Sequence, residues 1–120
     1  EYANQMAGNC KDVGKGRQMP IHVVSKKHNY QCVKSPLSTQ LPQSAGAGYF
    51  FRTQGLNRIC TTYFGEGSAS EGDFHPALNF ASTLNAQTLF FCRNNSYAIS
   101  TPSDEQYSGD GIAVKGTAYG

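Results

Sequence analysis

Between residues 59 and 92 the hydrophobic pattern changes period twice. Ile59-Cys60-Thr61-Thr62-Tyr63-Phe64 is a β-branched and aromatic run, and Thr88-Leu89-Phe90-Phe91-Cys92 is a second. Between them Ala77, Leu78, Phe80, Ala81 and Leu84 recur at helical spacing. Strand, helix, strand in this order predicts one βαβ unit with parallel strands. Ser68 followed by Glu71 resembles a capping box at the helix start. Pro76 lacks a helical N–H, so it predicts either a kink or a delayed regular helix.

The flanks are less periodic. Residues 1–8 read as the tail of a helix that Gly8 ends, and residues 11–33 as loop. Residues 35–40, Ser-Pro-Leu-Ser-Thr-Gln, form a turn, after which Pro42 opens a helix running to Gln54, with Gly55 as its stop. The small residues Ala45, Gly46, Ala47 and Gly48 lower helix propensity there. They fit close approach by a neighbouring backbone or cofactor, and tight helix packing equally well. Residues 100–111, rich in Pro, Ser, Asp and Gly, read as loop.

A chain of 120 residues with 38% hydrophobic content holds one modest core, hence a single domain or part of one. Its longest apolar runs are far too short to span a bilayer. It opens at Glu1 with no apolar leader or Arg-rich segment, which is expected of a mature or internal piece. Residues 1–34 carry the basic excess, diluted over loops without interleaved aromatics, and this argues against a nucleic-acid surface. Cys10, Cys32, Cys60 and Cys92 form no C-x-x-C pair and are expected to be reduced core thiols. Asn94-Asn95-Ser96 matches a glycosylation acceptor and is read as accidental, because neither a leader nor a Cys-dense framework accompanies it. His22, His28 and His75 show no spacing to a nucleophile or metal and read as packing or surface histidines.

The chemistry concentrates at Gly65-Glu66-Gly67, a glycine turn at a strand end with an acid inside it. Such a turn usually cradles phosphate, which a carboxylate would repel unless a cation intervened. A Walker loop is absent: Asn9 and Gly16 stand where its first glycine and its hydroxyl belong around Gly14-Lys15. The dinucleotide reading is weak, since Ser70 takes the third small position and no acid lies near residues 85–90. Parallel strands deliver their carboxyl ends to one sheet edge, so Glu66 and Asn95 become neighbours there. With the Tyr97 carbonyl they supply hard oxygens of the kind Mg²⁺ prefers, the remaining positions being open to diphosphate and water.

Gly65-Glu66-Gly67 followed by Asn94-Asn95 resembles the signature of the thiamine-diphosphate enzymes. The resemblance is closer to the α subunits of mitochondrial branched-chain 2-oxo acid dehydrogenases. It is carried by Gly14-Lys15-Gly16-Arg17-Gln18-Met19-Pro20, by residues 35–40, by residues 63–73, and by Phe91-Cys92-Arg93-Asn94-Asn95-Ser96-Tyr97-Ala98-Ile99-Ser100-Thr101-Pro102, and it covers essentially the whole chain. Pyruvate dehydrogenase α subunits, which differ around Ser35, are the nearest alternative, and a non-catalytic α/β nucleotide-binding module is the alternative from another class.

The resemblance implies an α/β fold, a parallel-sheet βαβ core, with residues 1–120 an incomplete part of a single thiamine-diphosphate-binding domain. It implies that Glu66, Asn95 and the Tyr97 carbonyl hold Mg²⁺. The turn at Gly65, the Gly67 and Ser68 amides and Arg93 would meet the diphosphate, and Ser35 and Leu37 the aminopyrimidine end. Pro36, Thr39 and Gln40 match a turn that binds a monovalent cation, K⁺. Lys34 departs from the Ser-Ser-Pro-Leu-Ala-Thr-Gln form of that turn, and its ammonium offers a tethered substitute for the cation. The implied activity is decarboxylation of a branched-chain 2-oxo acid with acyl transfer to a lipoyl carrier. The implied partners are a β subunit in an α₂β₂ assembly and a lipoyl acyltransferase core, in the mitochondrial matrix. No catalytic residue is expected within the chain, because the family's catalytic histidine and a cofactor-holding Tyr-Arg pair would lie outside it. The chain alone is therefore expected to be inactive.

Overall fold

The computed structural model describes residues 1–109 and 111–120, in two compact units, Glu1–Pro36 and Leu37–Gly120. The first unit holds helix α1 (Tyr2–Met6), one 3-10 turn (Lys26–His28) and a series of tight turns. Gly8 follows α1 with φ +58°, the left-handed conformation of a glycine helix stop. The Gln5 side chain ties this helix to the loop beyond it. Its Nε2 donates to the His22 carbonyl at 3.1 Å, and its Oε1 accepts the Ile21 N–H at 2.7 Å. Around Gly14-Lys15-Gly16 the Asp12 carboxylate accepts the N–H groups of Gly14 and Gly16, each at 2.9 Å. The anion held by these glycine amides is thus the chain's own.

The second unit contains the expected βαβ element. Strands β1 (Cys60–Gly65) and β2 (Thr88–Arg93) pair in parallel, in register from Cys60↔Thr88 to Gly65↔Arg93. Before them lies α2 (Gln40–Thr53), and between them α3 (Phe74–Thr83). Pro42 and Pro76 each fall in the first turn of their helix, where the missing N–H has no intrahelical partner to lose. Pro76 therefore marks a delayed helix rather than a kinked one. A 3-10 turn (Gly67–Ser70) fills the gap between β1 and α3.

Side chains alternate along β1: Thr62 and Phe64 are buried, while Thr61 and Tyr63 are exposed. Phe64 joins Leu41, Ala69, Phe74 and Ala77 in the core, with Phe90 and Cys92 packed against it. The opposite face of the strand pair carries exposed Tyr63, Leu89 and Phe91, the rings of Tyr63 and Phe91 lying 5.1 Å apart. The small residues of α2 have a specific use at Gly48. A Cβ there would lie 2.8 Å from the Gln87 carbonyl and collide with the Thr88 hydroxyl. Close backbone approach thus accounts for Gly48, while Gly46 faces open space.

Two expectations are corrected. The Ser68–Glu71 capping box does not form, because Glu71 is extended, with ψ 151°, and the Ser68 hydroxyl is engaged elsewhere. Residues 100–111 are not simply loop: β4 (Thr101–Pro102) pairs antiparallel with β3 (Tyr97–Ala98), and α4 (Ser103–Gln106) follows. Extended Pro102 precedes that helix, and Asp104 and Glu105 occupy its first turn, where the positive end of the peptide dipoles favours acids. Asp110, part of that stretch, lies outside the described residues. Helix α5 (Ala113–Tyr119) closes the chain against α3, with the Tyr119 hydroxyl 2.6 Å from His75 Nδ1. All four cysteines are free thiols, but none is a buried core residue: Cys10 is exposed and Cys32, Cys60 and Cys92 are half-buried, Cys92 packing against the core. Among the described residues no helix is long and apolar enough to cross a membrane.

Candidate functional site

The strand register sets the site. Gly65 and Arg93 pair across the sheet as the last residues of β1 and β2, so both strands release the chain at the same edge. Glu66 leaves one strand there, and Asn94 and Asn95 leave the other. Glu66 is 1% exposed, the one buried acid among the described residues. Its Oε2 accepts the Asn95 main-chain N–H at 3.3 Å, while its Oε1 is buried with no hydrogen-bond partner.

An orphaned carboxylate oxygen in such a place costs free energy unless something positive meets it. Its charge is felt nearby: the half-buried Cys92 thiol is held above its ordinary pKa, first by burial and then by the Glu66 carboxylate. Burial alone lifts the Cys60 thiol.

Asn94 and Asn95 shape the second strand's exit. The side-chain oxygen of Asn94 accepts the Ser96 N–H at 2.8 Å, and that of Asn95 accepts the Tyr97 N–H at 3.0 Å. These turns direct the chain into β3 and permit φ +68° at Ser96. An amide oxygen accepting one N–H keeps a second lone pair, so Asn95 retains ligand capacity. Gly67 is required where the turn meets β3. A Cβ on it would lie 2.8 Å from the Ala98 Cβ.

The expected set is brought together in part. Glu66, Gly67, Ser68 and Asn95 gather at the sheet edge, flanked by the β3 strand that begins at Tyr97. Arg93 is exposed at the end of β2. Leu37 is 55% exposed, and Thr39 and Gln40 lead into α2, where Gln40 Nε2 donates to the Tyr63 carbonyl at 3.2 Å. Ser35 and Pro36 belong to the first unit. There the Ser35 hydroxyl lies 2.8 Å from His22 Nε2, while His22 Nδ1 lies 2.9 Å from the Pro20 carbonyl. A carbonyl only accepts, so neutral His22 carries its proton on Nδ1 and accepts from Ser35. This pair spans thirteen residues, and no local spacing announces it.

Ser38 likewise makes a contact that no local pattern announces. It is fully buried, with φ +70°, and its hydroxyl lies 2.6 Å from the Ser68 carbonyl and 2.5 Å from the Ser68 hydroxyl. A serine in a polar turn gives no sign of such a contact; only the packing of the turn onto the βαβ unit does.

The donors fit a divalent cation of the hard type. A single buried carboxylate with a free oxygen, an amide oxygen and main-chain carbonyls are what Mg²⁺ accepts when a diphosphate supplies further oxygens. Among the described residues no group of three or more His, Cys, Asp or Glu side chains is placed to hold a metal.

Comparison with known proteins finds similarity over the full length of the chain. The family model described as "Dehydrogenase E1 component" matches residues 1–120. Among the curated relatives named 2-oxoisovalerate dehydrogenase subunit alpha, mitochondrial, three serve as examples. The protein from Caenorhabditis elegans is 59% identical over 120 residues, 99% of this chain and 28% of the relative. That from Dictyostelium discoideum is 58% identical over 121 residues, covering 100% and 27%. The human protein is 55% identical over 119 residues, covering 99% and 27%. The chain thus spans little more than a quarter of the length of the curated relatives it matches.

Proposed function

The chain belongs to the dehydrogenase E1 component family, and from that premise we propose that it is the cofactor-binding part of a 2-oxo acid dehydrogenase α subunit. Its substrate class is the branched-chain 2-oxo acids, as the relatives' printed name suggests. Residues 1–120 form part of a single thiamine-diphosphate-binding domain. The β subunit completes the active site in an α₂β₂ assembly, which hands its acyl group to a lipoyl acyltransferase core. The compartment is the mitochondrial matrix, in keeping with the relatives' name and with four free thiols.

Thiamine diphosphate, when bound, supplies the electron sink for loss of CO₂ from a 2-oxo acid. The chain's own residues bind and orient it. Glu66, Asn95 and the Tyr97 carbonyl hold Mg²⁺, which cancels the repulsion between the acid and a diphosphate. The turn at Gly65, with the Gly67 and Ser68 amides, donates to the diphosphate, and Arg93 adds a charge-assisted contact. Ser35, held by His22, and the Leu37 main chain meet the aminopyrimidine end. Pro36, Thr39 and Gln40 take a monovalent cation, K⁺, that orders their turn.

One observation carries the reading: the buried Glu66 carboxylate, with a partnerless oxygen, at the shared edge of two parallel strands. Calorimetric titration of the assembled α/β complex with thiamine diphosphate, with and without Mg²⁺, tests it. Binding should depend on the metal and vanish in Glu66→Ala. Unchanged affinity in that variant would overturn the metal assignment.

A further inference from the structure

Resting on that reading of the site, we propose that Ser38 is a positioning residue for the Gly67-Ser68 turn, acting through its hydroxyl on Ser68 rather than on any ligand. Both side chains are sealed from solvent, Ser38 at 0% exposure and Ser68 at 3%. The Ser38 oxygen reaches two atoms of one residue, the Ser68 carbonyl at 2.6 Å and the Ser68 hydroxyl at 2.5 Å.

Proton counting fixes what this contact does. Each hydroxyl has one proton, and the Ser68 carbonyl has none. When Ser38 donates to that carbonyl, the Ser68 proton points to the Ser38 oxygen, and both hydroxyls are used up within the pair. The Ser68 side chain is then a clamp, and what it leaves to a diphosphate is its main-chain N–H. Ser38 thus holds the Ser68–Ala69 peptide through the Ser68 carbonyl, and with it the residue whose N–H follows Gly67, two residues beyond Glu66 and its partnerless Oε1. A second link, Gln40 Nε2 to the Tyr63 carbonyl, joins the same 37–40 segment to β1. The segment therefore grips the glycine turn from both the strand side and the helix side.

At the φ of +70° found at Ser38 an L side chain is strained, and glycine would relieve that strain. A serine there retains the strain together with the contact. The two effects separate by mutation. Ser38→Ala and Ser38→Gly both remove the hydroxyl, but only Ser38→Gly relieves the backbone.

Calorimetric titration of the assembled α/β complex with thiamine diphosphate and Mg²⁺, alongside thermal unfolding of the same complexes without ligand, tests the proposal. Both variants should lose cofactor affinity to the same extent, about five- to tenfold for one lost buried hydrogen-bond pair. Their melting temperatures should differ, with Ser38→Gly above Ser38→Ala. Affinity that ranks with melting temperature, or does not fall in either variant, overturns the positioning role. Glu66→Ala in the same series separates the two levels. If it binds undiminished, the site reading fails and the proposal with it; if it loses binding while both Ser38 variants keep theirs, the proposal alone fails.

Discussion

At the scale of single residues, Glu66 is the site's most expensive side chain, and its surroundings explain its neighbours' chemistry. The Cys92 thiol is held above its ordinary pKa first by burial and then because ionising it would place a second negative charge beside the Glu66 carboxylate. Cys60 keeps its proton through burial alone. A raised thiol pKa means less thiolate at a given pH, so at neutral pH alkylation should label exposed Cys10 first and Cys60 and Cys92 last, as read by mass spectrometry of the native protein. Early labelling of Cys92 would contradict the burial and the charge placed beside it. The same shifts set a sign for stability. The unfolded chain loses these protons near the ordinary thiol pKa of about 8.5, the folded chain only above it, so stability should fall as pH rises through that value. Arg93→Ala should weaken cofactor binding by about 1.5–3 kcal/mol, the size of one hydrogen bond to a charged group, with little change in unfolding temperature. A loss confined to unfolding temperature would make Arg93 a structural residue instead.

Among the elements, the βαβ unit and the approach of α2 to it set the geometry of the sheet edge. Gly48→Ala should destabilise the fold by about 1–3 kcal/mol, because the added methyl meets the Gln87 carbonyl at 2.8 Å and the Thr88 hydroxyl. Denaturant unfolding measures it; the neighbouring Gly46→Ala, facing open space, is the control. The two strands and α2 were legible in the sequence because period and punctuation agree there: β-branched runs at 59–64 and 88–92, and a proline at a helix start. What was not legible followed from competition for single groups. The Ser68 hydroxyl was expected to cap a helix, but Ser38, thirty residues away, holds it, and Pro76 already defers the helix to Phe74. Ser103–Gln106 looked like loop by composition, yet acids in its first turn and extended Pro102 before it suffice for one short helix. The glycine turn with its acid and the Asn pair were readable as a candidate site because an acid inside a phosphate-type turn conflicts with the turn's simplest use. The Ser35–His22 and Ser38–Ser68 contacts were not, since both join residues whose types are ordinary where they stand.

For the whole molecule, the central claim of the proposed function is that Oε1 of buried Glu66 lacks a partner because a metal completes it in the assembled enzyme. Glu66→Gln isolates that claim, for it keeps the shape and an acceptor for the Asn95 N–H while removing the charge. If the carboxylate serves a metal, the substitution moves two quantities in opposite directions. Without ligand, the α/β complex should unfold at the same or a higher temperature, since a desolvated charge is gone. With ligand, Mg²⁺-dependent affinity for thiamine diphosphate should collapse, by at least about a hundredfold for the loss of an anionic ligand oxygen. The most direct measurement is therefore calorimetric titration of the Glu66→Gln complex with thiamine diphosphate at saturating Mg²⁺. The account predicts that binding falls at least to the level the unaltered complex shows without metal; binding as tight as in the unaltered complex with metal would contradict it.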